Sequence, residues 1–199
     1  MNDLILFVVL DQYADWEAAY LAPLINGLAP EKYLVKTVSL GSRPIRSMGG
    51  FTLLPDYDLR SVPADFSALI LVGGLSWRKD EARGVEALVR KALAGNRVVG
   101  GICDATVFLG KMGALNDARH TSNLLSDLQQ WAGPNYTGAA VYQNQPVVRD
   151  GRLITANGTA ALEFAREVLL ALEAAPEKKI EQWYNFHKLG ACRAPMPDL

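Results

Sequence analysis

Short, wholly apolar runs alternate with helix-like patterns along the first half of the chain. The runs LILFVVL from Leu4, ALILVGG from Ala68 and VVGGIC after Arg97 each have the length of one strand. Strands that are apolar throughout are buried on both faces, which is typical of a parallel sheet covered by helices. The alternation therefore predicts an α/β fold with right-handed crossovers between parallel strands.

The segments between and after these runs predict the remaining elements. DWEAAYLAPLINGL is typical of a helix whose start is delayed, or which is kinked, by Pro23. Thr159 is the expected N-cap of the clearest helix pattern, which continues through LEFAREVLLALEA. The other predictions are a strand at YLVKTVSL, a small hairpin within RPIRSMGGFTLLPDYDL, helices over 80–94 and 104–112, a hairpin at VVRDGRLIT and a helix over 176–189.

Composition limits the classes of function. The 199 residues are half hydrophobic and carry a formal net charge of −1, so a single domain spanning 1–199 is expected, with no charged surface for nucleic acid or anionic membrane. The apolar run that starts at Leu4 is too short to span a bilayer and lacks the pattern of a signal peptide, so we expect a cytoplasmic protein. A small-molecule substrate or oxidant is the expected partner.

No cofactor or metal signature is present. There is no G-x-G-x-x-G, and FLGKM lacks the flanking residues of a phosphate loop. The two cysteines, Cys103 and Cys192, stand far apart without a CxxC pair, which predicts free thiols rather than a zinc site. We therefore expect neither a bound metal nor a cofactor.

Cys103 is the candidate nucleophile. It ends a buried strand and precedes a helix, between the small residues Gly101 and Ala105. Small flanking residues allow the sharp strand-to-helix turn from which a central side chain protrudes. The helix N-terminus favours a thiolate, so a lowered thiol pKa is expected there, although a small buried thiol with a purely structural role fits the same pattern.

Two other strand ends carry groups that a reactive thiol needs. Glu17 follows the first strand, where a protonated carboxyl would donate a hydrogen bond to the sulfur. Gly73 and Gly74 end another strand, and we expect the N–H groups of Gly74 and Asp104 to form an oxyanion hole. Gly73, Trp16 and Trp77 are expected to line the substrate site, since Trp16 adjoins Glu17 and Trp77 follows the glycine pair.

These segments together resemble the ThiJ/PfpI family of the class I glutamine-amidotransferase-like superfamily. The resemblance covers nearly the whole chain and rests on ADWEAA, LVGG, GGICDATVFLGKMGALNDARHTSN and TANGTAALEFA. It implies a flavodoxin-like three-layer sandwich, a homodimer, and a cysteine that acts as a nucleophile or redox centre. It also implies that Cys103 is contacted by Glu17, with Gly74 contributing to the oxyanion hole.

The chain departs from the family pattern at two positions. Many members carry a histidine at the end of a stretch similar to LLDGRRATTH. Aligning Leu115 and Arg119 of ALNDARHTSN with that stretch places Asn123 at the histidine position and directs His120 to the opposite face. Protease-like members also have histidine directly after the cysteine, where this chain has Asp104, and His187 lies in an aromatic helix pattern. Peptidase and glutamine amidotransferase activity are therefore not expected.

Two hypotheses of function follow. In the first, Cys103 attacks a small electrophile such as a reactive carbonyl, amide or nitrile, in a hydrolase or lyase reaction, and Glu17 moves the proton while Asn123 helps to bind the substrate. In the second, the chain is a noncatalytic redox-sensing or binding protein that retains the cysteine site. Asn123 favours the second hypothesis, because an amide cannot act as a base.

Overall fold

A seven-stranded sheet forms the centre of the computed structural model, which describes residues 3–197. Residues 1–2 and 198–199 of the predicted domain lie outside the described residues. The strands are β1 (Asp3–Val8), β2 (Tyr33–Ser39), β3 (Ile45–Arg46), β4 (Thr52–Leu53), β5 (Tyr57–Asp58), β6 (Ala68–Leu71), β7 (Val98–Ile102), β8 (Val147–Asp150) and β9 (Leu153–Ala156). Their order in the sheet is β5-β2-β1-β6-β7-β9-β8, and every neighbouring pair is parallel except β8 with β9. Strands β3 and β4 form a separate antiparallel hairpin.

Helices cover both faces of this sheet. The helices are α1 (Asp15–Ala18), α2 (Leu21–Leu28), α3 (Glu86–Ala94), α4 (Asp104–Lys111), α5 (Leu125–Ala132), α6 (Ala161–Leu172) and α7 (Glu177–Leu189). One face of the sheet packs on α2 and α6, and α7 packs on α6 with Trp183 buried in the same core. The other face packs on α3 and α4, and α5 packs on α4 with Leu128 buried in that core. The flavodoxin-like three-layer prediction is confirmed.

Local patterns account for most boundaries of the predicted elements, but α5 is not predicted, and three predictions differ from the structure. The helix predicted around Pro23 is split into α1 and α2, and the proline falls in the first turn of α2, where its missing N–H costs no hydrogen bond. The predicted helix 80–94 begins as a 3₁₀ segment, Asp80–Val85, before α3. The Thr159 N-cap prediction is wrong, because the cap is Ala160 and the Thr159 hydroxyl donates to Asn157 Oδ1 instead.

The carboxyl ends of β1, β6, β7 and β9 are neighbours at one edge of the sheet. Loops that follow these four strands therefore meet above that edge, where open α/β folds place their sites. Over residues 3–197, no helix has both the length and the apolar character needed to cross a membrane.

Candidate active site

Cys103 occupies a strained corner between β7 and α4. Its backbone has φ +57° and ψ −130°, a left-handed φ that is rare for a residue with a side chain. The backbone N–H donates to the Ala156 carbonyl of β9 at 3.0 Å, which ties the corner to the sheet. The half-buried side chain thus projects from a turn that the surrounding structure holds in place, as the sequence predicts.

Glu17 lies beside the cysteine and is only 1% exposed. Its Oε2 accepts a hydrogen bond of 2.7 Å from the Gly73 N–H. Its Oε1 has no hydrogen-bond partner among residues 3–197. Burial raises the pKa of Glu17 to about 7, against the lowering effect of the neighbouring Cys103 side chain and of the Gly73 N–H. The carboxyl is therefore able to gain or lose a proton near neutral pH.

The Cys103 thiol is held in its neutral form by the same surroundings. Burial, followed by the negative charge of Glu17, raises the pKa of Cys103 to about 12. The expected lowering of this pKa is wrong, because desolvation and the neighbouring carboxylate outweigh the hydrogen bonds from Asn123 and from the Asp104 N–H at the start of α4. Formation of the Cys103 thiolate at neutral pH therefore depends on the protonation of Glu17. A protonated carboxyl no longer carries the negative charge that disfavours the thiolate.

Asn123 contacts the sulfur from the loop between α4 and α5. Its Nδ2 donates to Cys103 Sγ at 3.3 Å, and its Oδ1 accepts from the Gly158 N–H at 2.8 Å. Asn123 therefore lies in the site beside Cys103, while its predicted part in substrate binding remains a prediction. The side chain brings a hydrogen-bond donor to the thiol.

Neither histidine of the described residues hydrogen-bonds to Cys103. His120 is fully buried, with Nδ1 at 2.8 Å from the Ala118 carbonyl and Nε2 at 2.7 Å from the Tyr136 hydroxyl, and burial lowers its pKa. His187 is exposed on α7 and stacks on Trp183 with ring centroids 4.2 Å apart. Their surroundings give both histidines structural contacts rather than a place beside the sulfur.

Gly158 completes the site and is not among the residues predicted from the sequence, although the quoted motif TANGTAALEFA contains it. A Cβ at this position would lie 2.9 Å from Cys103 Sγ and 3.2 Å from Glu17 Oε1, so the backbone passes directly against both groups. The indole N–H of Trp16 donates to the Gly158 carbonyl at 3.1 Å, while 52% of Trp16 is exposed. Trp16 therefore borders the site, and its contact with a substrate remains a prediction.

The glycine pair divides into two different roles. The Gly73 N–H is already used by Glu17, so Gly73 positions the carboxyl instead of offering its donor to a substrate. Gly74 adopts φ +148°, and a Cβ there would approach the Gln12 carbonyl to 2.5 Å, which requires glycine. Its N–H donates to no described residue and stays available, whereas the Asp104 N–H is directed at the Cys103 sulfur. Their joint role as an oxyanion hole remains a prediction.

The Asp104 carboxylate is neutralised by Arg78, a residue that the sequence analysis does not single out. Arg78 donates from Nε and Nη2 to the two carboxylate oxygens at 2.6 and 2.9 Å. The same guanidinium bonds Asp127 of α5 at 2.9 Å and lies 4.7 Å from the centre of the Trp131 ring. Asp104 is thus a buried anchor for the first turn of α4.

Trp77 does not line the site, contrary to the sequence prediction. It is 1% exposed, its indole N–H donates to the Val72 carbonyl at 2.6 Å, and its ring packs on Phe108 with centroids 4.9 Å apart. The 3₁₀ turn over Leu75–Arg78 directs the indole inward, into the core on the α4 side of the sheet.

The fold is a three-layer sandwich of a mainly parallel sheet between two layers of helices, and Cys103 lies at a strand-to-helix corner of that sheet. This combination places the chain among flavodoxin-like α/β proteins of the ThiJ/PfpI type. The chain belongs to the DJ-1/PfpI family, whose model matches residues 3–171. It is 37% identical over 188 residues to "Uncharacterized protease YdeA" of Bacillus subtilis, covering 93% of this chain and 91% of that protein.

Solved structures agree with this assignment. The thiJ/pfpI family protein from Bacillus anthracis superposes with a TM-score of 0.88 at 32% identity, over 94% of this chain and 91% of that chain. The DJ-1 superfamily protein Atu0886 from Agrobacterium tumefaciens gives a TM-score of 0.80 at 34% identity, over 94% and 99%.

Proposed function

We propose that this protein is a cysteine-dependent enzyme that acts on a small electrophile, namely a reactive carbonyl, amide or nitrile, in a hydrolase or lyase reaction. The observation that carries the proposal is the buried Glu17 carboxyl beside Cys103, with a pKa of about 7. An acid or base is most effective when its pKa lies near the working pH, and this carboxyl meets that condition. Cys103 is only partly buried, and the proposal requires that a small substrate reach its sulfur.

The first chemical step for a carbonyl substrate uses groups already in place. Cys103 Sγ forms a bond to the carbonyl carbon, the thiol proton passes to the Glu17 carboxylate, and the C=O electron pair moves onto oxygen. The N–H groups of Gly74 and Asp104 then stabilise the oxyanion.

With an acyl substrate, the oxyanion collapses and expels the leaving group, which takes the proton from Glu17. Water then hydrolyses the thioester and restores the thiol.

Peptide hydrolysis by the protease-like arrangement is not supported. The Bacillus subtilis relatives carry the word protease in their names, so peptides belong in any substrate panel. In this chain, however, the residue after the cysteine is Asp104, whose two carboxylate oxygens are bound by Arg78. Both oxygens of that carboxylate are therefore occupied by the guanidinium.

The experiment compares turnover of small aldehydes, esters, amides, nitriles and peptides by the parent and by Cys103→Ser. We expect turnover of at least one small electrophile by the parent, and loss of about 10³-fold or more in Cys103→Ser, because the reaction loses its nucleophile. Cys192→Ser is the matched control, since Cys192 is exposed and its loss leaves turnover unchanged. A parent that turns over none of these compounds contradicts the proposal.

Redox sensing is the second candidate function, and the absence of an imidazole at Cys103 among the described residues favours it. In this case the sulfur attacks hydrogen peroxide, the O–O bond breaks, and a sulfenic acid and water are formed. Peptide mass spectrometry after peroxide treatment distinguishes the two functions. Faster oxidation of Cys103 than of Cys192, in a protein without turnover, supports sensing in place of catalysis.

A further inference from the structure

The Asn123 side chain is fixed at both ends of its amide. The Gly158 N–H, 2.8 Å away, is a donor only, so the amide atom facing it must be the oxygen. The nitrogen is then directed at Cys103 Sγ, 3.3 Å away. The orientation of the amide therefore follows from its backbone partner.

This orientation determines what Asn123 does to the sulfur. An amide NH₂ group donates hydrogen bonds and accepts none, so it stabilises a charged thiolate more than a neutral thiol. It cannot take the thiol proton, because an amide has no basic site at neutral pH. The proton must leave by another route, and the Glu17 carboxyl is the titratable group in contact with the sulfur.

The Gly158 backbone that orients the amide is itself held in place. Its carbonyl accepts the Trp16 indole N–H at 3.1 Å, and its Cα faces the sulfur so closely that no side chain fits there. Trp16, Gly158 and Asn123 thus form a continuous hydrogen-bonded link, defined here as the amide support, which runs from α1 to the sulfur. A displaced Gly158 would leave the Asn123 amide free to rotate.

We propose that Asn123 is a positioning residue, fixed by the amide support as a hydrogen-bond donor to the Cys103 thiolate, and that it does not accept the thiol proton. The inference deepens the proposed function, since it assigns the role of Asn123 within that site. It concerns ionisation of the thiol, however, and so is measurable without a substrate.

The test is the rate of Cys103 alkylation by iodoacetamide at pH 8, measured in a Cys192→Ser background. Asn123→Leu removes the donor, and we expect alkylation about tenfold slower, because one lost hydrogen bond to the thiolate raises the thiol pKa by about one unit. Asn123→Asp keeps an acceptor for the Gly158 N–H but turns a carboxylate oxygen towards the sulfur. We expect Asn123→Asp to react more slowly than Asn123→Leu.

If Asn123 only held the Gly158 backbone in place, Asn123→Asp would be alkylated as fast as the parent and faster than Asn123→Leu. That order, or an unchanged rate in Asn123→Leu, overturns the inference. Thermal unfolding identifies a variant that fails to fold, in which case Asn123→Ala replaces Asn123→Leu with the same expectation. If the alkylation order holds while the parent turns over no substrate, the proposed function fails and the positioning role stands.

Discussion

The amide nitrogen of Asn123 lies 3.3 Å from the sulfur of Cys103, although twenty residues separate them in the chain. His120, only three residues before Asn123, is turned away and hydrogen-bonds to Tyr136. The loop therefore presents an amide to the sulfur and keeps its imidazole in the core. The site thus combines the Cys103 thiol with a hydrogen-bond donor from Asn123. The group beside the sulfur that can accept the thiol proton is the Glu17 carboxyl.

A base placed at residue 123 should increase turnover. Asn123→His brings an imidazole next to the sulfur, and a positioned base near neutral pH contributes about 10²–10⁴-fold in favourable cases, so we expect a gain of about tenfold or more. Steady-state kinetics on any substrate of the parent measures it. His120→Ala is the control, because His120 is buried away from Cys103 and its loss should lower stability rather than turnover per folded molecule. A hundredfold loss of turnover in folded His120→Ala contradicts this assignment.

Glu17→Gln should separate thiol reactivity from turnover. The negative charge of Glu17 contributes to the raised pKa of Cys103, so removing that charge increases the thiolate fraction at pH 8. We expect alkylation of Cys103 to become about tenfold faster, while turnover falls about 10²-fold or more because no proton acceptor remains. Stopped-flow alkylation and steady-state assays measure the two rates. Slower alkylation in Glu17→Gln would show that the carboxylate assists ionisation in the resting protein.

The same carboxyl should make folding stability depend on pH. The pKa of Glu17 is raised from 4.5 to about 7, so between these values the folded protein binds more protons than the unfolded chain. Its contribution to stability is therefore present below about pH 4.5 and is lost as pH rises through 7, by on the order of 3 kcal/mol. Urea unfolding at pH 5 and pH 8 should show a smaller drop for Glu17→Gln than for the parent. Equal drops in the two proteins would place the Glu17 pKa near its ordinary value.

The Arg78 ion pair should contribute to stability through Asp104. Arg78→Met leaves the Asp104 carboxylate, whose side chain is 6% exposed, without its bidentate partner, and we expect a loss of about 2–4 kcal/mol in the free energy of unfolding. The double variant Arg78→Met/Asp104→Asn removes the unpaired charge and should recover at least half of that loss. Chemical denaturation measures both variants. A double variant no more stable than Arg78→Met would mean that the guanidinium acts through its packing on Trp131.

Most of the fold could be predicted because its signals are local. The buried strands are continuous apolar runs, and the helix pattern after TANG places Phe164, Val168 and Leu172 on one buried face. The spacing of apolar residues in each element follows from the face that the element buries. The Thr159 cap could not be predicted in this way, because Asn157 competes for its hydroxyl and only the folded loop shows which bond forms.

The site was predictable in part for a different reason. The topology brings the ends of β1, β6 and β7 together, so Glu17, Gly73 and Cys103 meet wherever such a sheet forms. The importance of Gly158 cannot be predicted from the sequence, because it lies in a close approach to Cys103 from another strand end. The raised pKa of Cys103 cannot be predicted either, since the sequence shows the helix position whereas desolvation depends on the packed structure.

The most direct test of the account is to locate a covalent intermediate on Cys103. The parent is mixed with an activated acyl ester, quenched within the first turnover, and analysed by peptide mass spectrometry. We predict an acyl group on Cys103 that decays as product forms, no acyl group in Cys103→Ser, and unchanged labelling of Cys103 in Cys192→Ser. Product formation without any acyl group on Cys103, or equal product formation by Cys103→Ser, would contradict the central claim that this sulfur is the nucleophile.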